Sequence, residues 1–314
     1  MPRILVRKDP GTFKTLPLLV DASPEGLTYQ GRGMPLNFKQ MLDRRRPLQI
    51  ADSQRFSQEL ANLGVSVRLT LNWQGRDYWL LVRQRRLDRG DDVLKLISGY
   101  VPAHELNLPL LTAIQEVAEE CLLETPEGWL GGRFGHTWLP TPYAGPLRYR
   151  ETAHFDLSPL SGAARPVRCG AMPLLERPRA YVHLPTASLQ LIYDLRLTLP
   201  KDTRELSLLH VDERLEANQL VTRLDRARPD LYLMPLEQGK PCAALFTLTR
   251  GQLKPASTRG RWLAESFAAQ DGWLVRDERI SWKQWCAQQQ LSELAPRSRL
   301  KRLMDKTRSL LKRA

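Results

Sequence analysis

Gly99-Tyr100-Val101-Pro102-Ala103-His104-Glu105 and, after a nine-residue spacer, Gln115-Glu116-Val117-Ala118-Glu119-Glu120-Cys121-Leu122-Leu123 form the stretch on which the reading of this 314-residue chain turns. Leu110, Leu111, Ile114, Val117, Ala118, Cys121 and Leu122 recur at helical spacing and predict one apolar stripe. Asn107 suits the N-cap, Pro109 is tolerated in the first turn, and Thr125-Pro126-Glu127-Gly128 supplies a stop. Glu116, Glu119 and Glu120 stand at i, i+3 and i+4, so they leave the predicted helix on one face, opposite the stripe.

Three acids on a helix face are ordinarily a solvated face. Two observations point away from that reading. Between Lys95 and Arg133 the chain has no Lys or Arg, and those 37 residues hold six glutamates: Glu105, Glu116, Glu119, Glu120, Glu124 and Glu127. This is a local charge of −6 in a chain whose net charge is +13. Glu116 also repels Glu119 and Glu120 at about 0.2–0.5 kcal/mol per pair, and the later acids face the negative end of the helix dipole. A bound divalent cation reverses the sign of these terms, because hard cations take carboxylate oxygens.

Working outward, Val65-Ser66-Val67-Arg68-Leu69-Thr70-Leu71 alternates apolar and polar residues and predicts a strand. Trp73-Gln74-Gly75-Arg76 reads as a turn, Asp77–Arg83 as the returning strand of a hairpin, and Val93–Ile97 as a third strand after a turn at Arg89-Gly90-Asp91. Beyond the helix, strands are expected at Trp129–Leu139 and Glu151–Leu157, around a Pro/Gly-rich loop at Pro140–Pro146. Ser57–Leu63 is expected as a short helix and Leu160–Ala164 as a loop or linker. A second structured part is expected around Leu189–Leu199, with a helix at Leu215–Leu224 and a strand at Ala243–Leu248.

The quoted residues resemble the box of the Nudix family, G-x5-E-x7-R-E-U-x-E-E-x-G-U, where U is bulky and aliphatic. Gly99, Glu105, Glu116, Val117, Glu119, Glu120 and Leu123 match. The chain departs from the pattern in its longer spacer, in Gln115 where the family has arginine, and in Leu122 where it has glycine. A neutral Gln115 can hydrogen-bond a carboxylate but cannot offset its charge. The resemblance implies a mixed sheet with a catalytic helix, and Mg²⁺- or Mn²⁺-dependent hydrolysis of a diphosphate bond in a nucleoside diphosphate derivative. It further implies that Glu116, Glu119 and Glu120 hold the metal together with the backbone carbonyl of Gly99. Glu105 is either a further ligand through water or a structural partner of its loop. The general base varies within the family and has no assignment here.

The whole chain is therefore expected to be α/β: an N-terminal extension over 1–60, a Nudix-like domain over 61–185, a C-terminal α/β region over 186–296 and a basic amphipathic tail over 297–314. Hydrophobic content of 42% and charged content of 26% suit a globular protein. No apolar run approaches the ~18 residues of a membrane span, and the chain reads as cytoplasmic. Cys121, Cys169, Cys242 and Cys286 are far apart, which suggests neither a disulfide framework nor a zinc knuckle. Positions 297–314 carry eight Lys/Arg against Asp305, or +7 of the total +13. That tail is expected either to pack by its leucines or to meet RNA, an anionic membrane or an acidic partner. Trp79, Trp138, Trp273 and Trp282 read as core or half-buried strand residues. Trp129 and Tyr143 are placed near the mouth of the site as the better candidates to touch a nucleobase, and His136 and His154 either face it or are structural. A degenerate domain that binds a nucleotide or RNA without turnover is the rival reading.

Overall fold

The computed structural model describes residues 3–7, 13–86, 91–140, 143–144, 147–216, 219–268 and 272–292. The basic tail at 297–314 and the turn at 89–90 lie outside the described residues. The fold is a mixed α/β arrangement dominated by strands, with three α-helices among the described residues.

The predicted hairpin forms. Strand β1 (Asn62–Trp73) turns through Gln74 and Gly75 into β2 (Arg76–Arg86). Both turn residues have positive φ, 52° and 77°, as tight hairpin turns that match strand twist require. Val65, Val67, Leu69 and Leu71 are fully buried on one face of β1, as their alternation predicts. The third strand is two: β3 (Asp91–Lys95) pairs with β2, whereas β4 (Ile97–Tyr100) pairs antiparallel with β1 and contains Gly99. Helix α1 (Pro109–Glu120) follows, then β5 (Cys121–Thr125), β6 (Gly128–Phe134) and β7 (Tyr149–Pro159). Further strands of the main sheet include β8 (Arg179–His183), β9 (Ser188–Thr198), β10 (Ser207–Glu216), β11 (Gln219–Leu224) and β12 (Leu231–Glu237).

Hydrogen-bonded neighbours run β12–β2–β1–β9–β7–β6–β5–β10–β11. The β1–β9 and β6–β7 pairs are parallel and the others antiparallel. β10 also lies against β2 and β12, and His210 N donates to Pro229 O just before β12. The sheet therefore curls and brings β10 back against β2 and β12. Helix α1 packs on β1 and β4 at one side and on β5, β10 and β6 at the other. A smaller sheet joins N-terminal strands Leu18–Ser23, Gly26–Gly31 and Phe56–Leu60 to Val167–Cys169 and Met172–Pro173. No helix among the described residues is long and apolar enough to cross a membrane.

Several expectations are corrected. Ser57–Leu63 is not a helix: Phe56–Leu60 is a strand paired with Leu18–Ala22, and β1 begins at Asn62. Leu215–Leu224 is not a helix either, because it supplies the end of β10 and all of β11, a hairpin. Helix α1 stops at Glu120. Cys121, Leu122 and Leu123 pair with His210, Leu209 and Leu208, and all three are buried. An apolar triplet that would have lain half outside the helix gains burial on both faces of a sheet. The N-cap is Leu108 without a side-chain cap, and Asn107 instead accepts from Cys169 Sγ at 3.0 Å. β8 and β9, on either side of residues 185 and 186, are hydrogen-bonded neighbours. β9 in turn pairs with β1 over ten residue pairs, so one sheet spans the two expected regions.

Candidate functional site

The site is where α1 meets β4 and the end of β3. Residues one turn apart share a helix face, and Glu116 and Glu120 both look towards these strands. The Glu116 carboxylate rests directly on the α-carbon of Gly99, so closely that any β-carbon there would overlap Oε1 and Cδ of the glutamate. A β-carbon at 99 would fit only with the Glu116 carboxylate moved off this seat. One turn on, Glu120 Oε1 lies 3.5 Å from Lys95 Nζ, whose side chain is 13% exposed against 20% for the glutamate. Lys95 also donates to Ser98 Oγ at 3.1 Å. The other carboxylate oxygen, Glu120 Oε2, is buried without a hydrogen-bond partner.

The carbonyls that end α1 receive donors from distant segments. Tyr143 OH donates to Glu119 O at 2.9 Å, and His210 Nδ1 lies 3.1 Å from Glu120 O. Helix ends leave such carbonyls without intrahelical partners, and these two contacts hold the glutamate-bearing turn against β10 and the Tyr143 segment. Behind it, burial foremost and the Glu120 charge second push the Cys121 thiol up to about 12. Cys121 is therefore a protonated packing residue at neutral pH.

Glu105 accepts from Thr112 Oγ1 at 2.6 Å, with His104 Nε2 at 3.6 Å from its other oxygen. This hydrogen bond ties the loop to the first half of α1. The remaining acids of the island meet cations from elsewhere in the chain. Glu124 takes a bidentate guanidinium from Arg226, with Nε at 3.1 Å from both oxygens, and Arg150 Nη1 lies 3.4 Å from Glu127.

Oxygen donors, Glu120 Oε2 without a partner and Glu116 against Gly99 are chemistry that fits a hard divalent cation. Among the described residues, no three His, Cys, Asp or Glu side chains converge into a ready metal-binding group. The structure thus brings Glu116 to Gly99 and Glu120 to Lys95 one turn on, and gives Glu105 a partner on the N-terminal half of the helix.

Two aromatic expectations are corrected. Trp129 and Tyr143 are not open to a ligand: both are buried, in a cluster with Leu5, Leu122, Leu147 and Leu209. Trp138, expected in or near the core, is 55% exposed and stands edge-on to His154. His136 is exposed, and His154 lies 3.7 Å from Asp156. Trp273 and Trp282 are buried as expected. Sequence reasoning missed Lys95, His210 and Tyr143 as supports of the site. Lys95 had a signal, since it is the last cation before the basic-free stretch; His210, ninety residues away, had none.

Fold and site together define a strand-rich α/β protein with a carboxylate-bearing helix clamped in a curled mixed sheet. Compared with known proteins, the chain matches no family model and no curated sequence.

Proposed function

We propose that this is a Nudix-type fold and that the chain hydrolyses a diphosphate bond in a nucleoside diphosphate derivative with Mg²⁺ or Mn²⁺. The observation that carries the reading is the seating of Glu116 on Gly99, with the unpartnered Oε2 of Glu120 one turn away. Glu116, Glu119 and Glu120 would hold the cation, joined by the Gly99 carbonyl. The cation, when bound, neutralises phosphate charge and lowers the pKa of attacking water. The residues of the chain position the carboxylates: Lys95 orients Glu120, and Tyr143 and His210 fix the last turn of α1. Glu105 belongs to the catalytic set in this reading, ordered by Thr112.

A second reading has a specific observation behind it. Lys95 already supplies a positive charge at Glu120, so the contact can be a structural ion pair in a module that binds nucleotides or RNA without turnover. Assaying a set of diphosphate compounds with Mg²⁺ and Mn²⁺ separates the two. Metal-dependent turnover that Glu119→Gln or Glu120→Gln abolishes, in a folded chain, supports the enzyme. No turnover of any compound, or turnover unchanged in both variants, rules out the proposed metal site.

A further inference from the structure

Away from the glutamate contact, a cavity of about 550 Å³ lies between the sheet face at β8 and β9 and the C-terminal end of helix α2 (Trp282–Gln288). Arg165, Arg179, Tyr181, Ile192, Trp273 and Gln288 are among its lining residues, and none of the described lining residues is Asp or Glu. Arg179 and Tyr181 alternate on β8 and so face the same side, opposite Ile192 and Gln190 of β9. Such a volume lies in the range of small-molecule sites.

The charges around it are unequally matched. Asp194 is the acid beside Arg179, and Arg68 engages both of its oxygens, Nε to Oδ1 at 2.6 Å and Nη2 to Oδ2 at 2.7 Å, while the Glu265 charge acts on Tyr181. Arg179 reaches the same carboxylate only at 3.8 Å. Its Nε is buried with no hydrogen-bond partner, and so is the hydroxyl of Tyr181, a residue only 2% exposed. Two guanidiniums share one carboxylate, and the second keeps unspent donors. Burial first, and the Arg68 charge next, hold the Arg179 guanidinium below the usual arginine range, with Asp194 opposing. Arg165 adds a third guanidinium, stacked over the Trp273 ring at 3.8 Å. Buried donors are satisfied in the great majority of structures, whereas the Arg179 Nε and the Tyr181 hydroxyl are not. The Arg179 side chain is 37% exposed, so an anion in the cavity can reach both.

We propose that this cavity binds the oxyanion group, phosphate or carboxylate, of a small molecule, with Arg179 as the main partner and the Tyr181 hydroxyl and Arg165 beside it. The planar fork of arginine suits either group, and the site stands independently of the function assigned to α1.

Calorimetric titration of the full chain with inorganic phosphate, and separately with acetate, in low-salt buffer tests this. Saturable binding of either ion is expected, weakened tenfold or more in Arg179→Gln and several-fold in Tyr181→Phe, and the ion that binds distinguishes phosphate from carboxylate. Arg179→Gln also removes the repulsion between Arg68 and Arg179 at the shared Asp194 carboxylate, so the ligand-free variant should melt near the wild-type temperature. If that variant does not fold, Tyr181→Phe decides, since it deletes only a hydroxyl without a partner. Binding of neither ion, or an affinity undiminished in the folded variants, overturns the proposal.

Discussion

Replacing Lys95 by methionine isolates the electrostatics of the glutamate contact. At the observed 3.5 Å separation, two unit charges attract by about 5 kcal/mol at an effective dielectric near 20 and by about 1 kcal/mol in water. Both side chains are largely shielded, so the first limit is the closer, but desolvation of the pair offsets much of it. Lys95→Met should therefore cost about 1–3 kcal/mol in EDTA, read from urea midpoints at constant m-value. The variant also leaves Glu120 with both oxygens lacking a cation. If these carboxylates accept a divalent ion, Mg²⁺ at ten times its dissociation constant should restore about 1.4 kcal/mol. The Lys95→Met/Glu120→Gln double variant should show no such response. A Lys95→Met chain as stable as wild type in EDTA, or one whose midpoint ignores tens of millimolar Mg²⁺, would refute this account of the contact.

Other outcomes follow from the same geometry. Gly99→Ala forces the Glu116 carboxylate off its seat; because a flexible side-chain end gives way, thermal unfolding should show a loss of only about 1–2 kcal/mol, while metal-dependent turnover falls steeply. Asp77 is pushed up by burial, but hydrogen bonds from Arg196 and Asn72 and the Arg196 charge together hold its carboxyl below the usual aspartate value. A lowered folded pKa gives stability that is present above the unfolded value and lost as pH falls through the folded one. Asp77→Asn should thus cost about 0.2–1 kcal/mol at pH 7, with the two melting curves converging as pH falls through the lowered Asp77 value. Deleting residues 297–314 should leave hydrolysis of a small substrate within a few-fold, while any binding to RNA or anionic vesicles at low salt drops sharply.

Where pattern and local chemistry agree, the sequence by itself determined the structure. The alternation from Val65 to Leu71, the Gln74-Gly75 turn and the 3.6-residue stripe of α1 each specify their element without help from distant residues. Short segments were misread because five to ten residues of mixed character satisfy a period of 2 and a period of 3.6 almost equally. Ser57–Leu63 and Leu215–Leu224 became strands because partners were waiting, Leu18–Ala22 for the first and the hairpin and Arg3–Leu5 for the second. Cys121–Leu123 left the helix for the same reason, drawn into pairing with a strand some ninety residues on.

Charge shows the division most sharply. In sequence, the six glutamates between Lys95 and Arg133 form an island with no compensating cation. In space, Lys95 meets Glu120, Arg226 meets Glu124 and Arg150 approaches Glu127. Helical spacing determined which glutamates share a face. Which cations reach them was decided only when the sheet curled and brought together residues up to a hundred positions apart, because Coulomb energy depends on distance through the fold and not along the chain.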